Sequence, residues 1–113
     1  MSWWSQLSAD ERTRWLAVLL AIATFGLFSP AIRYDYVDYD DEVYVYANKA
    51  VLKGFSEDSV HYAFTSIAGG SWMPLTWFSH MFDVEMSGTS PTGPHTVNIL
   101  LHSANAALLL LAL

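Results

Sequence analysis

The stretch that decides the fold is Trp15–Ile32 (WLAVLLAIATFGLFSPAI), eighteen consecutive residues without a charged side chain. At ~1.5 Å rise per residue a helix of this length covers ~27 Å, close to the ~30 Å thickness of a hydrocarbon core. A cleaved signal peptide is the alternative interpretation. The run is long for a signal core, however, and no small-x-small cleavage site precedes the acidic stretch that follows. It therefore predicts a retained transmembrane helix over residues 15–33.

A second apolar run begins near Val97 and is still apolar at the last residue, Leu113. It ends without a basic flank or a turn signal. A helix that stops inside a membrane leaves about four carbonyls without partners, in a medium that supplies none. We therefore expect residues 95–113 to form a second transmembrane helix that is truncated. The alternative is a small native protein with a frayed second helix.

The segment between the two runs, residues 34–94, is acidic. It carries nine Asp and Glu residues against Lys49 and Lys53, and the whole chain has a net charge of −6. This balance argues against nucleic acid as a partner, because binding phosphates requires a basic surface. The absence of cysteine excludes disulfides and thiolate metal sites. A globular domain would interleave its charged and apolar residues, whereas this chain separates them in blocks.

Basic residues near the first apolar run predict its orientation. Arg12 and Arg14 precede the run, whereas only Arg33 follows it, and the loop beyond is acidic. Cytoplasmic flanks carry the excess of Lys and Arg. We therefore expect residues 1–14 to form a cytoplasmic amino-terminal segment and residues 34–94 to form an extracytoplasmic loop.

Local signals place several helices. Ser8 followed by Glu11 predicts a capping box at the start of the first helix. Ser56, followed by two acidic residues, predicts the start of a short helix in the loop. Pro74 suits the first turn of an amphipathic helix running to about Met86, which is too short to span and is best placed flat on the bilayer. Its predicted apolar stripe consists of Leu75, Phe78, Met81, Phe82 and Met86, and its predicted polar stripe consists of Thr76, His80, Asp83 and Ser87. Residues 34–46 instead alternate aromatic or Val with Asp, which is locally typical of a strand. With five tyrosines in thirteen residues, we expect this segment to pack at the membrane surface and not to form a free sheet.

The densest group of ionisable residues is Asp40, Asp41 and Glu42, a few residues beyond the first apolar run. Three consecutive carboxylates repel one another, which disfavours their ionisation unless a cation neutralises them. A carboxylate at a membrane surface can act as the general base on an incoming hydroxyl, as glycosyl transfer requires. The alternative is a solvated acidic turn that helps keep the loop outside, and the residues alone favour neither interpretation.

A second polar group lies on the second apolar run. His95, Asn98, His102 and Asn105 are spaced 3, 4 and 3 residues apart, which places them on one stripe of a helix. Such a stripe is expected to face protein or a polar cavity. It is either one wall of a site for a phosphate-bearing lipid head group or a set of interhelical hydrogen bonds, which we prefer. Zinc is disfavoured, because His95 and His102 are two turns apart.

The third group lies on and before the predicted amphipathic helix. Trp72 reads as a membrane-surface anchor first and as a platform for stacking a substrate second. His80 and Asp83, at i and i+3, are placed to bond to each other or to a ligand.

These segments together resemble a known family. The motifs are Val-x-Tyr-Asp-Asp-x-x-Tyr-Val (37–45), Trp-x-Pro-Leu-Thr-Trp-x-Ser-His-Met-x-Asp (72–83) and His-x-Val-Asn-x-Leu-Leu-His-x-Ala-Asn (95–105). In this order they resemble the amino-terminal end of bacterial membrane proteins that join a multi-span glycosyltransferase-like domain to tetratricopeptide repeats. Those proteins are similar to the animal transmembrane and tetratricopeptide-repeat O-mannosyltransferases and, more distantly, to the protein O-mannosyltransferases, all of the GT-C fold.

The resemblance implies a bacterial inner-membrane enzyme. It would transfer a sugar, mannose by resemblance, from a polyprenyl-phosphate donor to Ser or Thr hydroxyls of an acceptor protein. Its diacidic pair matches Asp40 and Asp41, with Glu42 in a possible shifted register. Trp72, His80, Asp83, His95, Asn98 and His102 become candidates for binding the substrate or donor. The family commonly has His before Pro-Leu-Thr-Trp, where this chain has Met73. No metal ligand or other cofactor is assigned.

The sequence thus predicts a mostly α-helical membrane protein. Two transmembrane helices would be joined by an extracytoplasmic loop with short amphipathic helices, as a fragment of a GT-C multi-span bundle. The fragment alone is expected to be inactive, because further helices would build the donor pocket. The alternative function is a non-enzymatic membrane scaffold that displays tetratricopeptide repeats to bind other proteins. A membrane anchor without activity explains neither the acidic triplet nor the polar stripe.

Overall fold

A computed structural model describes residues 3–113, apart from the side chains of Trp3 and Ser5. Met1 and Ser2, which belong to the predicted cytoplasmic segment, lie outside the described residues. Over the described range the chain is mostly helical and has no strand. It forms two compact units, which we call the helical pair (Met1–Ala31 with Thr96–Leu113) and the loop unit (Ile32–His95).

The α-helices of the described chain are α1 (Ala9–Phe28), α2 (Lys49–Leu52), α3 (Glu57–Thr65), α4 (Pro74–Ser87) and α5 (Thr92–Ala112). A 3₁₀ turn follows α1 over Ser29–Arg33, and a single π-helical turn covers Glu42–Tyr46. Helix α5 therefore begins three residues before the predicted boundary at residue 95. Pro94 is accommodated there because N–H groups in the first turn of a helix need no intrahelical partner.

Two helix starts are confirmed. The Ser8 hydroxyl accepts a hydrogen bond from Glu11 N (3.3 Å), and the Glu11 carboxylate accepts one from Ser8 N (2.8 Å). Together these bonds form the predicted capping box of α1. The Ser56 hydroxyl likewise accepts from Ser59 N (3.2 Å) and caps α3. Both predictions hold because capping depends on residues only three positions apart.

The first and last helices are long and apolar enough to cross a membrane. The segment Ala9–Arg33 has a mean hydropathy of 2.0 and Thr92–Ala112 one of 1.3 over their most apolar windows. Only 6% of the first window and 11% of the second is buried. The core helix of a soluble protein would be mostly covered, so these exposed apolar surfaces are compatible with a membrane protein.

The loop unit has its own core. Val51 of α2, Ala63 of α3, and Trp77 and Met81 of α4 are fully buried and in contact. The Trp77 ring stacks on Tyr44 from the π-helical turn (centroids 5.5 Å apart) and meets the edge of Tyr62 (5.4 Å). Trp77 therefore connects three elements of the loop unit.

Two local sequence patterns in the loop are resolved only by the fold. The alternation over residues 34–46 does not form a strand, because residues 42–46 wind into a π-helical turn that brings Tyr44 against Trp77. The predicted apolar stripe of α4 is divided as well. Leu75 and Met86 are exposed, whereas Met81 is fully buried. The buried face of α4 is centred on Trp77, and Met81, one turn later, lies on that same face.

Gly69 and Gly70 offer a matched test of the packing around Tyr44. Both have positive φ (70° and 79°), so an Ala at either position suffers similar backbone strain. A Cβ at Gly69 would collide with the Tyr44 ring, whereas a Cβ at Gly70 meets open space. We expect Gly69→Ala to lower the free energy of unfolding by about 1–3 kcal/mol more than Gly70→Ala does. Equal denaturation midpoints for the two variants would contradict this packing.

Candidate functional site

Asp41 is positioned by the π-helical turn. The turn is closed by a hydrogen bond from Ala47 N to Glu42 O (3.1 Å), five residues apart, and Asp41 immediately precedes it. The Asp41 Oδ2 accepts a hydrogen bond from Val37 N (2.9 Å), which fixes the carboxylate. Asp41 is half-buried, whereas its neighbour Asp40 is exposed. The two members of the predicted diacidic pair therefore have different environments.

Helix α4 supplies His80 and Asp83, one turn apart on its buried side. Asp83 is only 3% exposed, and its Oδ2 lies 3.7 Å from His80 Nδ1. That distance is too long for a hydrogen bond but brings the two groups within electrostatic reach. His80 and Asp83 are therefore neighbours, as their spacing predicted, but no hydrogen bond joins them. Both side chains can still form hydrogen bonds to another group.

Tyr36 and His95 complete the group from the two ends of the loop unit. Their ring centroids lie 6.4 Å apart, and the Tyr36 ring also lies against Tyr46 (5.5 Å). Burial raises the pKa of the Tyr36 hydroxyl, and the nearby charges of Asp41 and Asp83 raise it further. The charge of Asp41 also acts on His80. We call Tyr36, Asp41, His80, Asp83 and His95 the loop cluster.

The loop cluster contains buried polar atoms without hydrogen-bond partners. They are Tyr36 Oη, His80 Nδ1, Asp83 Oδ1 and His95 Nε2. Trp77 Nε1 also lacks a hydrogen-bond partner, and the Trp77 ring lies near His80, with the ring centroids 6.4 Å apart. A buried donor or acceptor left unpaired costs about 1–3 kcal/mol. Folded proteins have few such atoms, and water or a polar ligand can satisfy them.

The ionisation of Asp83 is opposed by its surroundings. Burial raises the pKa of its carboxyl from 3.8 to about 6. Burial also lowers the pKa of His80, despite the charge of Asp41, so the imidazole is neutral at pH 7 and offers Asp83 no cation. A carboxyl titrating near neutrality inside a polar cluster is a feature of functional sites.

We expect Asp83→Asn to stabilise the protein at pH 7.5. The folded state holds the Asp83 proton more tightly than the unfolded state, so stability is lost as the pH rises through the interval from 3.8 to about 6. Removing the ionisable group should recover roughly 2–3 kcal/mol at pH 7.5 and almost nothing at pH 4. Melting temperatures of the detergent-solubilised protein at the two pH values measure this. Glu57→Gln, at an exposed position, is the control, and a lower melting temperature for Asp83→Asn at pH 7.5 would refute the expectation.

Other predicted site residues lie apart from the loop cluster. Glu42 is exposed, and Trp72 is 63% exposed, with its indole N–H donating to Phe64 O (2.8 Å). Asn98 and His102 belong to the helical pair, where both are exposed and the His102 ring meets the edge of Phe28 (5.0 Å). The polar stripe of α5 is therefore divided between the two units, and only His95 joins the cluster.

Sequence reasoning missed Tyr36. It was one of five tyrosines within residues 34–46, and nothing in their alternation separates it from the others. Within residues 3–113, no group of three or more His, Asp or Glu side chains is arranged to hold a metal ion. No family model, curated protein or solved structure shows a significant match to this chain.

Proposed function

We propose that this chain belongs to a membrane glycosyltransferase that moves a sugar from a polyprenyl-phosphate donor to a protein hydroxyl. The observation that carries the proposal is the position of Asp41. Its half-buried carboxylate is fixed by Val37 N and lies among polar side chains that lack partners. The resemblance of the three sequence motifs to GT-C O-mannosyltransferases supplies the substrate class and suggests mannose as the sugar.

In this proposal Asp41 is the general base. The hydrogen bond from Val37 N is accepted by Oδ2 of Asp41, so the other carboxylate oxygen, Oδ1, can accept the proton of a Ser or Thr hydroxyl. The deprotonated oxygen attacks C1 of the sugar, the bond from C1 to the phosphate oxygen breaks, and the polyprenyl phosphate leaves with the bonding electrons. One displacement inverts the configuration at C1. His80, Asp83 and His95 bind the substrate beside the reacting atoms, whereas the exposed Asp40 has a lesser role.

Transfer by the full-length protein tests the proposal. The protein is reconstituted in vesicles with polyprenyl-phosphate mannose and Ser- or Thr-containing acceptor peptides, and glycopeptide is detected by mass spectrometry. Transfer with inversion is the expected result. If no lipid-linked sugar supports transfer to any acceptor, the scaffold function becomes the better interpretation.

We also propose that the amino terminus is cytoplasmic and the loop unit extracytoplasmic, because Arg12 and Arg14 precede α1 and the loop is acidic. These 113 residues contain no cysteine, so a single introduced thiol reports one position. Thr89 is exposed and outside the helices. We expect Thr89→Cys to react with a membrane-impermeant maleimide in intact cells, and Ser5→Cys to react only after lysis. The reverse pattern would overturn this topology.

A further inference from the structure

The chemistry of the loop cluster indicates which part of a substrate it can hold. Its unpartnered atoms include a tyrosine hydroxyl, two imidazole nitrogens and a carboxylate oxygen, so both hydrogen-bond donors and acceptors are present. Asp83 is 3% exposed and Trp77 fully buried, and each keeps an unpaired polar atom. A ligand that both donates and accepts, as a hydroxyl group does, matches this mixture of donors and acceptors.

The charge of the cluster disfavours a phosphate. The charges that act on Tyr36 and His80 come from Asp35, Asp41 and Asp83, all of them carboxylates. The loop unit's lysines line a different cavity of about 550 Å³, together with Glu57, Asp58 and His61. There Lys53 is paired with Asp58 (2.7 Å). The loop unit's other strong cation, Arg33, lines a separate cavity together with Asp35. A phosphate in the loop cluster would meet the carboxylates of Asp41 and Asp83, and Lys or Arg side chains usually supply the charge that offsets such repulsion.

We infer that the loop cluster binds the hydroxyl groups of an uncharged, polyhydroxylated ligand, the sugar portion of the substrate, and does not bind its phosphate. The inference rests on the proposed function for the identity of the ligand, and deepens it by assigning this site to one part of the donor or product. It also assigns His95 to sugar binding, and to neither of the two roles considered for the polar stripe on α5, phosphate binding and interhelical hydrogen bonding. Tyr36 and Asp83 are the positions at which to test it, because each presents a buried oxygen without a hydrogen-bond partner and each has a substitution of nearly the same size, Phe for Tyr and Asn for Asp.

Ligand-observed NMR tests the inference in the full-length protein in nanodiscs. Saturation transfer to methyl α-mannoside and to other methyl glycosides measures sugar binding, and separate samples contain inorganic phosphate or sugar-free polyprenyl phosphate. We expect Tyr36→Phe to weaken sugar binding about three- to tenfold and Asp83→Asn about ten- to a hundredfold. Tyr39→Phe, at a position 78% exposed, and Glu57→Gln are the matched controls and should bind normally.

Several results would overturn the inference. They are sugar binding that Tyr36→Phe and Asp83→Asn leave unchanged, phosphate binding that these variants abolish, and the absence of saturation transfer to every glycoside, which would mean that only water fills the cluster. Loss of fold is not a substitute explanation, because Asp83→Asn is expected to stabilise the protein and its melting temperature is measured alongside. Sugar binding without any transfer reaction would refute the proposed function and leave this inference standing. Transfer by a protein whose cluster variants bind sugar normally would refute the inference alone.

Discussion

Asp41→Asn is expected to lower the rate of sugar transfer by about 10²- to 10⁴-fold, the usual effect of removing a positioned general base. The amide cannot accept the proton of the acceptor hydroxyl at neutral pH. The substitution keeps the size of the side chain, and its oxygen can still accept the hydrogen bond from Val37 N. The stability of the full-length protein should therefore change by no more than about 1 kcal/mol. Rates from radiolabelled donor, with melting temperatures of the same preparations, measure both quantities.

Asp40 and Asp38 are the controls for this variant. Asp40 is exposed, so Asp40→Asn should alter stability by about 0.5 kcal/mol or less and reduce transfer only mildly. Asp38 accepts a hydrogen bond from the Tyr46 hydroxyl (2.8 Å) and is also exposed. Asp38→Asn should be similarly mild. Near-normal transfer by Asp41→Asn, or a loss of transfer by Asp40→Asn as large as that by Asp41→Asn, would refute the assignment of the general base to Asp41.

Trp77→Ala is expected to lower the free energy of unfolding of the loop unit by about 3–5 kcal/mol. Trp77 is fully buried and carries ring contacts to Tyr44 and Tyr62, so its removal opens a cavity bordered by α2, α3 and the π-helical turn. Denaturant titration monitored by limited proteolysis of the loop measures the effect.

Trp72→Ala provides the matched comparison for Trp77. Trp72 is 63% exposed, and the truncation removes one hydrogen bond, from its indole to Phe64 O. We expect it to cost about 1 kcal/mol. If the two truncations destabilise the loop equally, Trp77 is not the centre of the loop core.

The helix starts were predictable because their causes are local. Ser8 with Glu11, Ser56 with the acids that follow it, and Pro74 each place a favourable group within one turn of a helix end. The two long apolar helices were predictable from length and composition alone. None of these inferences requires knowledge of which residues meet across the fold.

The π-helical turn could not be predicted in the same way. The alternation over residues 34–46 is typical of a strand when only neighbours are considered. The conformation is set by the stacking of Tyr44 on Trp77, more than thirty residues away. Met81 lies one turn after Trp77 on the same face of α4, so it is buried together with Trp77. Which face of α4 is buried depends on the elements that pack against Trp77.

The candidate site was predictable in part. The spacing of His80 and Asp83 on one helix side indicated their proximity, and the acidic triplet indicated Asp41 without separating it from Asp40. Only the fold shows that Tyr36 and His95, at opposite ends of the loop unit, meet each other. The division of α5 between two units likewise separates His95 from Asn98 and His102, which one helical stripe had joined.

The central claim is that Asp41 activates an acceptor hydroxyl for glycosyl transfer. Transfer of radiolabelled mannose from polyprenyl phosphate to an acceptor peptide, compared between the unaltered full-length protein and Asp41→Asn, tests it most directly. We expect labelled peptide from the unaltered protein and at least a hundredfold slower labelling from the variant, with equal melting temperatures. Labelled peptide produced at the same rate by both proteins would contradict the claim.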